Sequence, residues 1–187
     1  MIGNDLIDLQ LAAIESNWKR KGYLDKIYTI AEQEIILSDA NPELLVWILW
    51  SMKEASYKAN NRITAVKEYA PTKINCKITE IENNVYYGTA CYNNLEYQIK
   101  TSVFTEYIHT IALYKSNAFS TVSEIIIENF SIDYTNDLKN CNFLNSTNLI
   151  VKNELGIPNL FDNVSKEIKP ISISHHGKFL GVIMFKD

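Results

Sequence analysis

The sequence predicts an α+β protein in which an antiparallel sheet packs against helices. Three observations support this prediction: helical periodicity is confined to the first third of the chain, segments rich in β-branched and aromatic residues follow it, and pairs of asparagines separate those segments. The chain has 187 residues, of which 47% are hydrophobic and 21% charged. This is the composition of a globular protein, and the length suits one domain or two small lobes.

The helical part begins with two short predicted helices, over residues 8–20 and 24–37. A longer helix is expected to begin at Pro42 and to continue to about residue 59. Asn41 is a favourable N-cap residue, and proline is well accepted at the first position of a helix. Asn41 and Pro42 therefore predict the first residue of the third helix, whereas the starts of the other two helices are predicted only approximately.

The strand-forming part has two asparagine pairs, at residues 83–84 and 93–94, which predict hairpin turns. Residues 121–129 are interpreted as a further helix. The apolar segment 107–115 resembles segment 179–186 in its pattern, which leaves open two pseudo-repeated lobes. The predicted strands cover residues 73–80, 85–91, 95–104, 107–115, 171–174 and 179–185.

Composition also excludes several classes of protein. The net charge of −4 argues against nucleic acid as the main partner, because phosphate binding requires a basic surface. The longest apolar run, Leu44–Trp50, is far shorter than the roughly 20 residues that cross a bilayer, so no membrane association is expected. The N-terminal residues do not resemble a secretory signal, and the three cysteines are widely spaced. A cytoplasmic location follows as the expectation.

The helix from Pro42 has one face that carries two tryptophans, Glu54 and Lys58. One interpretation is an ordinary ion pair one helical turn apart, with the tryptophans covering the core. The other is a site where the carboxylate binds a metal and the lysine binds phosphate. Asp5, in the apolar first segment, is either a surface or capping residue or the second carboxylate of a Mg²⁺ site.

A third group of polar residues lies near the C-terminus, where Ser172 and Ser174 share one face of a predicted strand next to His175. The segment lacks the G-x-S-x-G turn of a serine hydrolase and the ligand spacing of a zinc site. Hydroxyl groups and an imidazole at the end of a strand are suited to binding phosphate.

Taken in order, four segments resemble the motifs of the 4′-phosphopantetheinyl transferase superfamily. The family patterns are G-x-D, W-x-x-K-E-A-x-x-K, G-K-P and S-x-S-H, and the second is the most specific. The resemblance implies a phosphopantetheinyl transferase-like fold over the whole chain, residues 1–187. The matching segments are Ile2–Leu9, Trp50–Lys58, Gly156–Pro158 and Ile171–His175.

The resemblance also implies a reaction. Members of the family transfer the phosphopantetheine arm of coenzyme A to a serine of an apo carrier protein and release adenosine 3′,5′-bisphosphate. By this resemblance Asp5 and Glu54 would bind Mg²⁺, and Glu54 would also help to remove the proton of the attacking serine. Lys58 would contact the phosphates of coenzyme A.

The remaining substrate contacts implied by the family lie in the C-terminal part. Ser174 and His175 would hold the 3′-phosphate or the pyrophosphate, and Pro158 would flank the adenine or the nearby loop. Two positions depart from the family pattern: Ile7 replaces the third carboxylate of the larger members, and Ile157 replaces the G-K-P lysine. The first departure makes the site resemble that of the smaller holo-acyl-carrier-protein synthases.

The partner implied by the family is an acidic acyl or peptidyl carrier protein, from fatty-acid synthesis or from another assembly line. Lys19, Arg20 and Lys21 form a basic group at the end of the first predicted helix. This group is interpreted either as a docking patch for the carrier or as a solvated helix end that favours cations.

Chain length bears on how the site is built. We expect a lobe of residues 1–115 to carry the metal ligands and Lys58, and a lobe of residues 116–187 to carry the Ser-His strand. One chain would then close its own site as a monomer, whereas a site between subunits would require a homotrimer. The rival to the transferase hypothesis is a non-catalytic module that binds coenzyme A or a nucleotide on the same fold.

Overall fold

The computed structural model of the protein describes residues 1–115 and 118–186, and it has an α+β fold. The described residues form five α-helices: α1 (Leu9–Glu15), α2 (Tyr23–Ile27), α3 (Ile30–Ser38), α4 (Pro42–Thr64) and α5 (Tyr134–Asn140). They also form ten strands: β1 (Ile2–Asp8), β2 (Asn75–Glu82), β3 (Val85–Tyr92), β4 (Leu95–Val103), β5 (Tyr107–Tyr114), β6 (Val122–Glu128), β7 (Asn148–Lys152), β8 (Pro158–Asp162), β9 (Ile168–His176) and β10 (Phe179–Phe185).

The ten strands form two five-stranded antiparallel sheets that repeat one topology. The strand order is β1-β5-β4-β3-β2 in the first sheet and β6-β10-β9-β8-β7 in the second. Numbered from its own first strand, each sheet therefore reads 1-5-4-3-2. The predicted α+β class is confirmed, and so are the two pseudo-repeated lobes. The predicted division at residue 116 falls on a position that, like residues 117 and 187, lies outside the described residues.

The two sheets lie between helices. Helix α4 covers one face of the first sheet with its apolar stripe, which includes Ile48, Met52 and Ala55. Ile111 and Ile183 belong to a cluster shared by the two sheets, and α5 covers the outer face of the second sheet. The order of the layers is α4, first sheet, second sheet, α5.

The hairpins of the first sheet turn at the asparagine pairs, as predicted. Asn83, Asn84, Asn93 and Asn94 all have positive φ angles, between 49° and 63°. Asparagine tolerates this left-handed conformation better than most residues, and two successive residues of this kind give the turn that matches the strand twist.

Gly3 brings β1 unusually close to α4. A Cβ atom at this position would lie 2.2 Å from the carbonyl oxygen of Ala55 and 2.6 Å from the amide nitrogen of Ala59. No side chain fits at these distances, so the strand and the helix pack backbone to backbone. The glycine of the G-x-D motif thus serves the packing, and it places Asp5 against the middle of α4.

The free edge of β1 joins the two sheets. Strand β1 is at the end of the first sheet, so its outward amides have no partner strand. Side chains of β9 take that place. Three of them accept hydrogen bonds of 2.9 to 3.1 Å from alternate amides of β1: Ser172 from Asn4, Ser174 from Leu6 and His176 from Asp8.

Some elements differ from the sequence-based expectations. The helix predicted over 121–129 is wrong, because this segment is strand β6 and pairs with β10 along its length. Its run of β-branched isoleucines, 125–127, favours a strand. Strands β7 and β8 were not predicted. Among the described residues, none of the helices is long and apolar enough to cross a membrane.

Candidate functional site

Three of the predicted site residues meet where β1, α4 and β9 come together. Lys58 Nζ donates hydrogen bonds to Asp5 Oδ1 at 3.2 Å and to Ser174 Oγ at 3.0 Å. The Ser174 hydroxyl donates in turn to Asp5 Oδ1 at 3.1 Å. Asp5, Lys58 and Ser174 thus form a triangle of hydrogen bonds. They lie up to 169 positions apart in the chain, and the contact between the two sheets brings them together.

The side-chain directions follow from strand alternation. Residues 3, 5 and 7 of β1 point towards α4, whereas residues 4 and 6 point towards the second sheet, so Asp5 faces the helix. Its side chain is only 10% exposed, and that of Lys58 is 30% exposed. Lys58 forms its ion pair with Asp5 of the strand, at 3.2 Å, across the contact between α4 and β1.

Glu54 is the second carboxylate of the site. Its burial raises the pKa of this carboxyl from 4.5 to about 7; the negative charge of Asp5 acts in the same direction, and the Lys58 ammonium opposes it. When both acids are ionised, the site holds two carboxylates against one ammonium group. The uncompensated negative charge in a partly desolvated place is the setting that a divalent cation stabilises.

The donor set fits Mg²⁺ better than it fits a metal that requires a full protein cage. Within residues 1–115 and 118–186 no group of three or more His, Cys, Asp or Glu side chains is arranged to hold a metal. Mg²⁺ is commonly bound by one or two carboxylates and completes its octahedron with water and substrate phosphates. Asp5 and Glu54 are the two carboxylates at this site that could bind such an ion.

Two cavities adjoin the triangle. The larger, of about 460 Å³, is lined by Asp5, Glu54, Trp50, His175 and Arg20, among other residues. It therefore combines both carboxylates with a histidine from the second sheet and a cation from the segment after α1. A cavity of this volume is within the range of small-molecule sites.

The smaller cavity, of about 190 Å³, lies on the side of Lys58 that faces β8. Pro158 lines it, and the Pro158 carbonyl accepts a hydrogen bond of 2.6 Å from the Arg62 guanidinium. Ile157, which stands where the family has a lysine, is buried with 8% exposure. Its side chain contributes no charge to this cavity.

Ser174 and His175 point to opposite faces of β9. Ser174 faces β1, whereas His175 is exposed and its ring packs against Phe130, with ring centroids 5.7 Å apart. His176 shares the face of Ser174 and accepts the amide of Asp8 through Nδ1. The two neighbouring histidines therefore differ in their contacts: His175 lines the larger cavity, and His176 connects β9 to β1.

The basic group predicted as a docking patch surrounds a groove of about 390 Å³. Lys19, Arg20 and Lys21 line it together with apolar side chains that include Trp18 and Leu37. Arg20 lines both this groove and the cavity that contains Asp5 and Glu54. The groove and the carboxylate site are therefore contiguous on the surface.

Lys53, the first lysine of the W-x-x-K-E-A-x-x-K segment, lies outside the site. It is fully buried, pairs with Glu32 at 2.7 Å and donates to the carbonyl oxygen of Pro71 at 3.0 Å. Glu32 in turn accepts the amide of Cys76. The motif therefore contains one structural lysine, which ties α4 to α3 and to the start of β2, and one lysine in the site.

Sequence reasoning missed two residues next to the site. Arg62 reaches from α4 to the second sheet and donates to Pro158, Asn159 and the carbonyl oxygen of Ile171. Its spacing of four residues from Lys58 places it on the same helix face, which is the signal that was available. Tyr69, in the loop after α4, packs against Trp50, and no sequence motif contains it.

Comparison with known proteins gives a family match and similar solved structures. A family model described as the 4′-phosphopantetheinyl transferase superfamily matches residues 1–112. No curated protein matches the sequence. The crystal structure of holo-[acyl-carrier-protein] synthase from Thermotoga maritima is similar to this one, with a TM-score of 0.47 and 11% sequence identity. The similarity covers 84% of this chain and 83% of that chain.

In the metal-free protein, Glu54→Gln is expected to stabilise the fold at about pH 8 but not at about pH 4. Because the pKa of Glu54 is raised to about 7 in the folded state, folding takes up a proton above pH 4.5, and the free energy of unfolding falls as the pH rises towards 7. Glutamine removes this loss, which amounts to at most about 3 kcal/mol. Denaturant unfolding in the presence of EDTA measures it.

The matched control for this prediction is Glu34→Gln, on the exposed face of α3. It removes a carboxyl group that does not line the site, so the gain in stability at the higher pH should be seen for Glu54→Gln and not for Glu34→Gln. A Glu54→Gln protein that is less stable than the wild type at the higher pH would contradict the assignment of Glu54 as a destabilised, uncompensated acid.

Proposed function

The chain belongs to the 4′-phosphopantetheinyl transferase superfamily, and from this premise we propose that it transfers the 4′-phosphopantetheine arm of coenzyme A to a serine of an apo acyl or peptidyl carrier protein. The other product is adenosine 3′,5′-bisphosphate. The observation that carries the proposal is the meeting of Asp5 and Lys58 with Ser174 of the second sheet, beside Glu54.

In the proposed reaction the serine oxygen of the carrier forms a bond to the phosphorus of the phosphopantetheine arm. The phosphoanhydride bond to adenosine 3′,5′-bisphosphate breaks, and Glu54 takes up the serine proton directly or through a water molecule. Mg²⁺ held by Asp5 and Glu54 would supply charge neutralisation at the pyrophosphate. Lys58 donates to the phosphate oxygens, for which its present partners, Asp5 and Ser174, already orient it.

The coenzyme A would lie along the two cavities on either side of the Asp5–Lys58 pair, one lined by Asp5 and the other by Lys58. Ser174 and His175 are proposed to contact its 3′-phosphate or pyrophosphate, since both lie where the second sheet borders the carboxylate site. Pro158 lines the smaller cavity, which makes it the proposed neighbour of the adenine. These assignments follow the family motifs residue by residue.

One chain is proposed to close its own site. Residues 1–115 would form the lobe with Asp5, Glu54 and Lys58, and residues 116–187 the lobe with the Ser-His strand. The direct hydrogen bonds from Ser174 to residues of the first lobe support this arrangement. A trimer with sites between subunits is the alternative that the smaller family members suggest.

The carrier protein is proposed to dock on the groove formed around Lys19, Arg20 and Lys21. The three cations would steer an acidic partner, and the apolar floor with Trp18 and Leu37 would bury part of its surface. The continuity of the groove with the carboxylate cavity through Arg20 gives a docked serine a short path to Glu54.

The transfer reaction itself is tested with purified protein, coenzyme A, Mg²⁺ and a panel of apo carrier proteins, followed by intact mass spectrometry. After incubation with the wild-type enzyme, the mass of the carrier protein should increase by that of one phosphopantetheine group. Glu54→Gln should lower the rate at least about 100-fold, because it removes a ligand and a proton acceptor. Glu34→Gln should retain the full rate.

The outcomes of this assay separate the two functional hypotheses. Tight binding of coenzyme A without transfer to any carrier would select the non-catalytic binding module. Absence of both binding and transfer would contradict the two hypotheses together.

Docking is tested by charge reversal of Lys19, Arg20 and Lys21 to glutamate. The KM for the carrier should rise at least about tenfold at low salt and lose its dependence on salt concentration, while kcat changes little. Reversal of the exposed Lys67 and Lys77 is the control and should leave the KM unchanged. An unchanged KM and salt dependence in the triple variant would remove the groove from consideration.

A further inference from the structure

Tyr69 lies in the loop that leads from the end of α4 to strand β2. The backbone on each side of it is fixed by side chains of the core. Three hydrogen bonds of 2.9 to 3.0 Å hold the neighbouring carbonyl oxygens: Tyr57 to Lys67, Tyr92 to Glu68 and Lys53 to Pro71. The position of Tyr69 is therefore set by its anchored neighbours.

The ring of Tyr69 packs against the face of α4 that carries the site. Its centroid lies 6.0 Å from that of Trp50 in an edge-to-face arrangement and 4.8 Å from that of Tyr57. Trp50 is one helical turn before Glu54, and Tyr57 is nearly one turn after it. The two aromatic contacts restrict the side chain of Tyr69 to the space beside Glu54.

The hydroxyl group of Tyr69 is buried and unpartnered. It lies beside the Glu54 carboxyl: Tyr69 lowers the pKa of Glu54, and Glu54 raises the pKa of Tyr69. Yet the hydroxyl has no hydrogen-bond partner among residues 1–115 and 118–186. A buried hydroxyl without a partner destabilises a fold, and phenylalanine would have filled the same space without that cost. The nearby Glu54 carboxylate is an acceptor to which this hydroxyl could donate, and this would explain why a tyrosine stands here.

We propose that Tyr69 is a positioning residue of this site, whose hydroxyl donates a hydrogen bond to the Glu54 carboxylate and holds it in the orientation that binds a divalent cation. This inference rests on the proposed function in taking Glu54 as a ligand. A ligand carboxylate has free oxygen lone pairs, and a fixed donor on one of them selects the direction in which the other faces.

The orientation of the Glu54 carboxylate requires such a donor. Asp5, the other carboxylate, is already held by Lys58 and Ser174 on the same oxygen. Glu54 projects from a helix on a longer side chain with more rotatable bonds. The Tyr69 hydroxyl is buried and its proton has no acceptor among the described residues. Partners of this kind change metal affinity by about 10- to 100-fold when they are removed.

The experiment compares Tyr69→Phe with Tyr97→Phe, a control that removes a buried tyrosine hydroxyl bonded to Asn60 of α4 and not in contact with Tyr69. Mn²⁺ is used as the metal probe, with bound and free ion distinguished by electron paramagnetic resonance, and melting temperature is measured without metal. Tyr69→Phe should weaken Mn²⁺ binding about tenfold and keep or raise the melting temperature. Tyr97→Phe should lower the melting temperature, because it loses the bond to Asn60, and keep the Mn²⁺ affinity.

Kinetics provide a second readout. With Mg²⁺ at a fixed concentration near the wild-type half-saturation point, Tyr69→Phe should lower kcat and leave the KM for coenzyme A unchanged. Excess Mg²⁺ should restore part of the loss, because the defect is in the placement of a ligand.

The outcomes distinguish this inference from the proposed function. Equal Mn²⁺ affinity in wild type and Tyr69→Phe, in a protein that transfers phosphopantetheine, overturns the role of Tyr69 alone. Weakened Mn²⁺ binding in a protein that transfers to no carrier supports the role of Tyr69 and overturns the transferase proposal. A wild type that binds no Mn²⁺ overturns both.

Discussion

The unpaired amide edge of β1 is the constraint on which the rest of the structure depends. Each buried amide without a partner would cost about 1–3 kcal/mol, and three of them face away from the first sheet. Ser172, Ser174 and His176 satisfy them from β9. Side chains take the role of a neighbouring strand, which fixes the register between the two sheets. The same contact brings the Ser174 hydroxyl to Asp5 and Lys58.

The repeated topology explains how one chain comes to hold both halves of a site. Asp5 pairs with the fourth residue of β5, and in the second sheet the fourth residue of β10 pairs with Ile125. The second sheet therefore has an apolar residue where the first has a carboxylate. Its helix α5 has 7 residues, whereas α4 has 23. The carboxylates and Lys58 belong to one repeat and the serine strand to the other, so the pseudo-symmetric counterpart of the site lacks its charged residues.

The sequence was sufficient for features that depend on local chemistry or on a specific motif. The cap at Asn41, the asparagine hairpins and the grouping of Asp5, Glu54 and Lys58 are of this kind. The isoleucines of β6 favour a strand, but its partner β10 lies more than 50 residues away, so the segment taken alone shows nothing of that pairing. The position of Tyr69 depends on how an irregular loop is anchored, and spacing along the chain carries no information about that.

Mixing two inactive variants tests most directly whether one chain closes its own site. One variant carries Glu54→Gln in the first lobe, and the other carries Ser174→Ala with His175→Ala in the second. If each chain builds its site from its own lobes, equal amounts of the two variants, denatured and refolded together, should transfer no phosphopantetheine beyond the sum of the separate proteins. Recovery of a substantial fraction of the wild-type rate would show that sites form between subunits and would contradict the intramolecular site.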